Sequence, residues 1–110
     1  MRRVKVTYRP EAIADLRQTY IDIADISQSH VTANRFVSRI MARCRKIGDA
    51  PNGGRPRNDL EPGLRTVPFE SSVVIAYHVA ETVEVINVFY GGRDYEALFR
   101  AGDDDEGIKE

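Results

Sequence analysis

The stretch "VINVFYGGRDYEALF" sets Tyr90, Arg93, Asp94 and Tyr95 within a few residues of one another. Tyr90, Arg93 and Tyr95, with His78 and Arg65 on preceding segments, are the groups from which phosphodiester cleavage could be assembled. Such a reaction must activate a 2′-hydroxyl, stabilise a pentacoordinate phosphate and protonate a leaving oxygen. The pattern does not deliver the whole set. In "VVIAYHV" alternation puts Val73, Ile75, Tyr77 and Val79 on one face and Val74, Ala76 and His78 on the other, so register alone brings His78 to no catalytic partner. Arg93 either pairs with Asp94 and caps the segment that follows, or contacts a target; Tyr95 reads as packing or as part of the same contact. Lys5, Lys46 and Lys109 are the only lysines, and none lies in these late strands. Nucleic-acid affinity rests mainly on phosphate contacts, which leaves this region poorly equipped to grip RNA.

The elements that must position these residues follow from spacing. "VKVTY", residues 4–8, alternates like a half-buried strand. Pro10 suits the first turn of a helix, and Glu11 and Asp15 favour its positive end. That helix carries Ile13, Leu16, Tyr20 and Ile23 as an apolar face, with Asp15, Arg17, Gln18 and Asp22 pointing away. Residues 27–30 offer caps for a break and restart. A second helix over residues 31–47 places Ala33, Phe36, Val37, Ile40, Cys44 and Ile47 inward, has a basic flank of Arg35, Arg39, Arg43 and Lys46, and stops at Gly48. Three strands follow, 64–69, 73–79 and 83–90, joined closely enough to form an antiparallel meander. Pro68 marks the first of them as an edge or bulged strand. The expected architecture is α+β in the order β-α-α-β-β-β, a helical hairpin packed on an antiparallel sheet with a short C-terminal helix.

Length and charge set the bounds. The 110 residues fit one domain with one core, here residues 1–100. The last ten, "AGDDDEGIKE", carry −4 and have little to bury, an acidic tail expected to be mobile unless a partner orders it. The first hundred carry +3, far from the excess of a dedicated nucleic-acid binder. A single Cys44 with His30 and His78 gives no metal-ligand spacing, so no metal or other cofactor is expected. No apolar run is long enough to span a membrane, and "MRRVKVTYRP" has no signal-peptide core, which points to the cytoplasm.

Between helices and sheet lies "GGRPRNDLEPGLR", residues 53–65. It lacks the Gly-Lys-Ser/Thr ending of a phosphate loop. Read as a connector, it is solvated and turns on its Gly and Pro residues, with Arg55, Arg57, Asp59 and Arg65 pinning it to the sheet through ion pairs.

In its order of residues the chain resembles the ParE toxins of the RelE/ParE superfamily over about residues 3–98. The resemblance rests on Ala12, Asp15 and Leu16 in "AIADL", Phe36 and Ile40, Pro51 before Gly54-Arg55, Arg57, and Asp59-Leu60. It continues through Pro62-Gly63-Leu64-Arg65, the Tyr77 strand and Gly92-Arg93-Asp94. Many relatives carry His just before the closing Gly, where this chain has Tyr90. The resemblance implies a toxin that poisons DNA gyrase, by way of the gyrase A subunit, through binding rather than catalysis, trapping cleaved DNA until a ParD-like antitoxin neutralises it. It implies neither sequence-specific nucleic-acid binding nor membrane association. Tyr90, Arg93, Asp94 and Tyr95 would face the target. Ile21, Ile26 and Met41, outside the core stripes, with Arg35 and Arg39, would face the antitoxin. The superfamily also contains RelE-like toxins that cut messenger RNA on the ribosome, for which Arg65, Arg93 and Tyr95 or Tyr90 would be the working groups. A further alternative is a degenerate toxin that only binds its antitoxin.

Overall fold

A computed structural model describes residues 3–92 and 95–99. Arg93, Asp94 and the acidic tail lie outside them. Strand β1 (Val6–Tyr8) leads into helix α1 (Pro10–Ser27), followed by α2 (His30–Ile47), a 3-10 turn (Pro51–Gly53), and strands β2 (Arg55–Pro56), β3 (Arg65–Phe69), β4 (Val73–Val79) and β5 (Val83–Tyr90). Residues 95–99 are helical.

Local chemistry explains the helix limits. Pro10 opens α1 without losing a bonded N–H, and α1 ends where Gln28 turns into the left-handed region at φ 56°. Ser29 restarts the chain, its hydroxyl accepting the Thr32 N–H at 3.1 Å. The inward face of α2 is the expected one, with Ala33, Ile40, Cys44 and Ile47 buried and Phe36 and Val37 packed beside them. That of α1 is turned from expectation. Ala12, Leu16 and Thr19 are buried, whereas Ile13 is 37% exposed. Asp15, expected to point outward, reaches the sheet instead. A small residue at position 12 lets α1 approach β5 closely, and the larger Ile13 then falls outside the contact.

The sheet runs β1-β5-β4-β3-β2. The meander is antiparallel throughout, and β1 adds to β5 as a parallel edge, with Val6 opposite Val83. The helical hairpin carries the chain from β1 at one edge of the sheet to β2 at the other, and the meander returns it to β5. The two-residue β2 covers only Arg65 and Thr66 of β3, so Pro68 lies on the stretch that β2 leaves uncovered.

Between β4 and β5 the register slips: Ala76 faces Asn87 but Tyr77 faces Val85, leaving Ile86 as the extra residue of a bulge. The slip changes the parity of β5. Val83 and Val85 pack toward the helices before it, and Val88 and Tyr90 do so after it, while Ile86 and Phe89 face the other side.

Two apolar clusters result, one on each face of the sheet. The helix side holds Leu16, Ile40, Cys44, Ile75, Tyr77 and Val88 among others. The far side holds Leu60, Leu64, Ala76, Ile86 and Phe89, with Tyr95 and Phe99 against them. The 53–65 connector is therefore not a solvated crossover. Leu64 is fully buried and Leu60 nearly so, and together with the 95–99 helix they form the third layer. Burying two Leu side chains there is worth about 1.5–3 kcal/mol each.

Candidate functional site

Tyr77 fixes where the connector starts. Its hydroxyl donates to the Pro51 carbonyl at 2.7 Å and accepts the Gly54 N–H at 2.9 Å. Gly54 sits so close to that phenol that any Cβ would collide with its hydroxyl and ring. Arg65 completes the hold through two backbone carbonyls rather than an ion pair, its Nη1 donating to Asn52 at 2.9 Å and Gly54 at 2.8 Å. Arg55 is exposed on β2, opposite Thr66.

Arg57 makes the ion pairs. Its Nε and Nη2 donate to the two carboxylate oxygens of Asp59 at 3.0 and 2.7 Å. Its Nη1 reaches the Tyr95 hydroxyl at 3.0 Å and Glu96 at 2.8 Å. Only 6% of the residue is exposed. Hydrogen bonds to Asp59 and then to Glu96 hold the guanidinium charged and push its pKa above the ordinary arginine value.

Of the residues expected to form one target-facing patch, Arg93 and Asp94 lie outside the described residues, and Tyr90 and Tyr95 do not share a face. Tyr90 packs on the helix side, edge-on to Phe36 with ring centroids 5.6 Å apart. Tyr95 lies on the far side, stacked on Phe89 at 5.5 Å. Alternation along a strand explains the first separation, and the Gly91-Gly92 turn, with φ 84° and 74°, carries the chain across. His78 contacts the connector instead. Its Nε2 lies 2.8 Å from the Glu61 carboxylate, at ion-pair distance but out of line for a hydrogen bond. Arg65 is occupied with carbonyls. Among the described residues, no group of three or more His, Cys, Asp or Glu could hold a metal ion.

The outer face of the hairpin carries a different feature. Ile13, Leu16, Arg17 and Tyr20 of α1 and Val37 and Met41 of α2 line an open apolar groove of about 280 Å³. Met41, expected to stand outside the core, is half-buried at its floor. Ile21 and Ile26 are exposed, at 50% and 77%, but neither lines the groove. Sequence reasoning placed Ile13 and Tyr20 in the core because each fits a helical stripe, and did not foresee that they line a groove; the signal was that α1 has more large apolar residues than one face can bury. Arg35 is exposed. Arg39 is not a free basic residue: its Nε and Nη2 donate to Glu70 at 2.9 and 3.0 Å, and it lies over Phe36 at 5.3 Å. The hydrogen bonds from Arg39 hold the Glu70 carboxyl below the usual carboxylate range. Tyr90, Phe36, Arg39 and Glu70 thus form one chain of contacts from β5 across α2 to the β3–β4 turn.

A helical hairpin on one face of a bulged five-stranded sheet, with the connector and a C-terminal helix on the other, defines a small α+β domain with a groove and no evident catalytic cluster among its described residues. The sequence profile of the ParE toxin of type II toxin-antitoxin system, parDE, matches residues 6–95, and the chain belongs to that family. It is a ParE-type toxin of a type II toxin–antitoxin system. Among solved structures it is similar to a chain of the chromosomal ParDE TA system from P. aeruginosa. Sequence identity is 19%, the match covers 80% of this chain and 96% of that one, and the TM-score is 0.69; at that identity the likeness concerns the fold. No curated protein matches the sequence. Among the described residues no helix is long and apolar enough to cross a membrane.

Proposed function

We propose that this toxin acts in the cytoplasm by binding the A subunit of DNA gyrase and trapping the enzyme on cleaved DNA, without making or breaking a bond itself. A ParD-like antitoxin neutralises it by laying an apolar segment along the α1–α2 groove. The observation that carries the binding reading is the scattering of the groups that RNA cleavage would need. Tyr90 and Tyr95 pack on opposite faces of the sheet, Arg65 is spent on two carbonyls, and His78 lies against Glu61. A ribonuclease requires such groups to converge within hydrogen-bond reach of one phosphate. Binding by a surface has no such requirement.

The antitoxin side rests on the groove. An apolar strip of this kind, with Arg17 on its lining, suits an amphipathic segment that carries a carboxylate beside its apolar face. Met41 lies on its floor; Ile21, Ile26, Arg35 and Arg39 do not line it, Arg39 being tied to Glu70, and would meet the antitoxin only beyond the groove. On the target side, Tyr95 and the Gly92–Tyr95 junction, with Arg93 and Asp94, supply the contact.

The test is a gyrase supercoiling assay with detection of cleaved DNA, run with the isolated protein and then with the product of the adjacent gene added. Inhibition with accumulated cleavage, relieved by that product, is the expected result. A folded protein that leaves gyrase untouched, but cuts messenger RNA on translating ribosomes, would replace this reading with the RelE-like one; inactivity in both assays would leave a degenerate toxin.

A further inference from the structure

Arg57 is a charged side chain in a layer otherwise closed by Leu60, Leu64 and Phe89. Two of its three partners lie far away in sequence. Asp59 belongs to its own turn, whereas Tyr95 and Glu96 belong to the C-terminal helix. Two leucines already attach the connector to the sheet, so the guanidinium is not needed for that. A planar fork, unlike an apolar contact, fixes the angle as well as the distance of what it holds.

Aromatic packing adds to the hold on residues 95–99. Phe89 meets Tyr95 at 5.5 Å and Phe99 at 6.3 Å. Between them a cavity of about 140 Å³ opens, lined by Asn87, Phe89, Leu98 and Phe99, and Leu98 is 49% exposed. The two directional contacts of Arg57, to the Tyr95 hydroxyl and the Glu96 carboxylate, set the orientation of residues 95–99 in a way that apolar packing does not, and this clamp sits on the face of the sheet opposite the hairpin groove.

We propose that Arg57 is a positioning residue for toxicity: through Glu96 and the Tyr95 hydroxyl it sets the pose in which the 95–99 helix, with Leu98 outward, meets the target. This rests on the reading that the C-terminal end faces the target. It predicts that toxicity and antitoxin capture come apart, because the two surfaces lie on opposite sides of the sheet.

The experiment compares Arg57→Gln, Glu96→Gln and Arg57→Lys with the wild-type chain. Growth arrest on expression, gyrase inhibition, affinity for the adjacent gene's product, melting temperature and hydrogen exchange over residues 95–99 are measured on each. Arg57→Gln and Glu96→Gln should weaken growth arrest and gyrase inhibition by about tenfold or more. Exchange at 95–99 should accelerate while affinity for the adjacent product holds, and Arg57→Lys should fall between. Variants as toxic as the wild type overturn the proposal, as does loss of toxicity and capture together with melting temperature, which marks a merely structural residue. If the wild type arrests growth without touching gyrase, the gyrase reading fails and the clamp is judged on growth arrest alone. A wild type that arrests nothing overturns the clamp as well.

Discussion

The carboxylate of Asp15 accepts the backbone N–H of Val88 at 2.9 Å, and the same oxygen accepts the Asn87 side-chain amide at 3.0 Å. Strand β1 pairs with β5 only as far as Val85, so beyond that point this edge of the strand has no neighbour. A side chain from α1 takes the place of the missing strand. It satisfies a half-buried donor and fixes the helix to the sheet just past the bulge.

Replacing Asp15 separates these roles. Asp15→Ala leaves the Val88 N–H unpartnered and should cost about 1–3 kcal/mol in urea unfolding. Asp15→Asn can turn its carbonyl oxygen to both donors and should lose less than half as much. Equal losses in the two variants would mean that charge, not acceptor geometry, secures the edge.

Tyr77 joins the sheet to the start of the connector with one hydroxyl that both donates and accepts. Tyr77→Phe preserves the packed ring but strands the Gly54 N–H, for an expected loss of about 1–3 kcal/mol. Gly54→Ala should destabilise by more, since its methyl would collide with a ring that is fully buried and unable to give way. Denaturant midpoints of both variants check the order.

Much of this was legible in the sequence, and the exceptions have physical causes. Residue spacing carried the element order because each helix has a stripe and each late strand alternates. The twist of α1 was hidden because Ala12 and Ile13 are both apolar, and periodicity cannot say which of two adjacent stripes a sheet will accept. The bulge at Ile86 has no composition signal, and it decides that Val88 and Tyr90, rather than Ile86 and Phe89, share the helix side. Leu60 sits among Gly, Pro and charged residues, so a window average reads it as loop although it is core, and Leu64, expected at the start of a strand, instead precedes β3 and packs in the third layer. Tyr90 and Tyr95 lie close in sequence yet on opposite faces, since a strand residue followed by a glycine turn gives no indication of where the chain returns.

Alkaline pH should act on the helix-side core. Burial pushes the Cys44 thiol up to about 11 from an ordinary value of 9.0, and burial likewise raises the Tyr8 phenol beside it. Both groups are neutral in the fold, and the unfolded chain gives up their protons first. Stability is therefore fully present below about pH 9 and is lost as the pH rises through 11, with a slope that approaches about 1.4 kcal/mol per pH unit for the thiol. Cys44→Ala should flatten that part of the profile whatever its effect at neutral pH. Unfolding free energies measured between pH 7 and 11 on both chains test it; parallel profiles would show that Cys44 is not the group responsible.

The groove predicts which exposed isoleucine matters to the antitoxin. Ile13 lines it and Ile26 does not, although Ile26 is the more exposed of the two. An apolar partner side chain seated there desolvates Ile13, and a carboxylate in its place must be buried unpaired or force the partner out. Ile13→Glu should therefore weaken binding of the adjacent gene's product by about 10–100-fold, the equivalent of one buried aliphatic side chain. The variant should stay folded, because the side chain already reaches solvent, and it should remain toxic even when that product is co-expressed. Ile26→Glu is the matched comparison. If titration calorimetry finds the greater loss at Ile26, the partner follows the exposed ridge of α1 rather than the groove, and the apolar floor formed by Val37 and Met41 is packing alone.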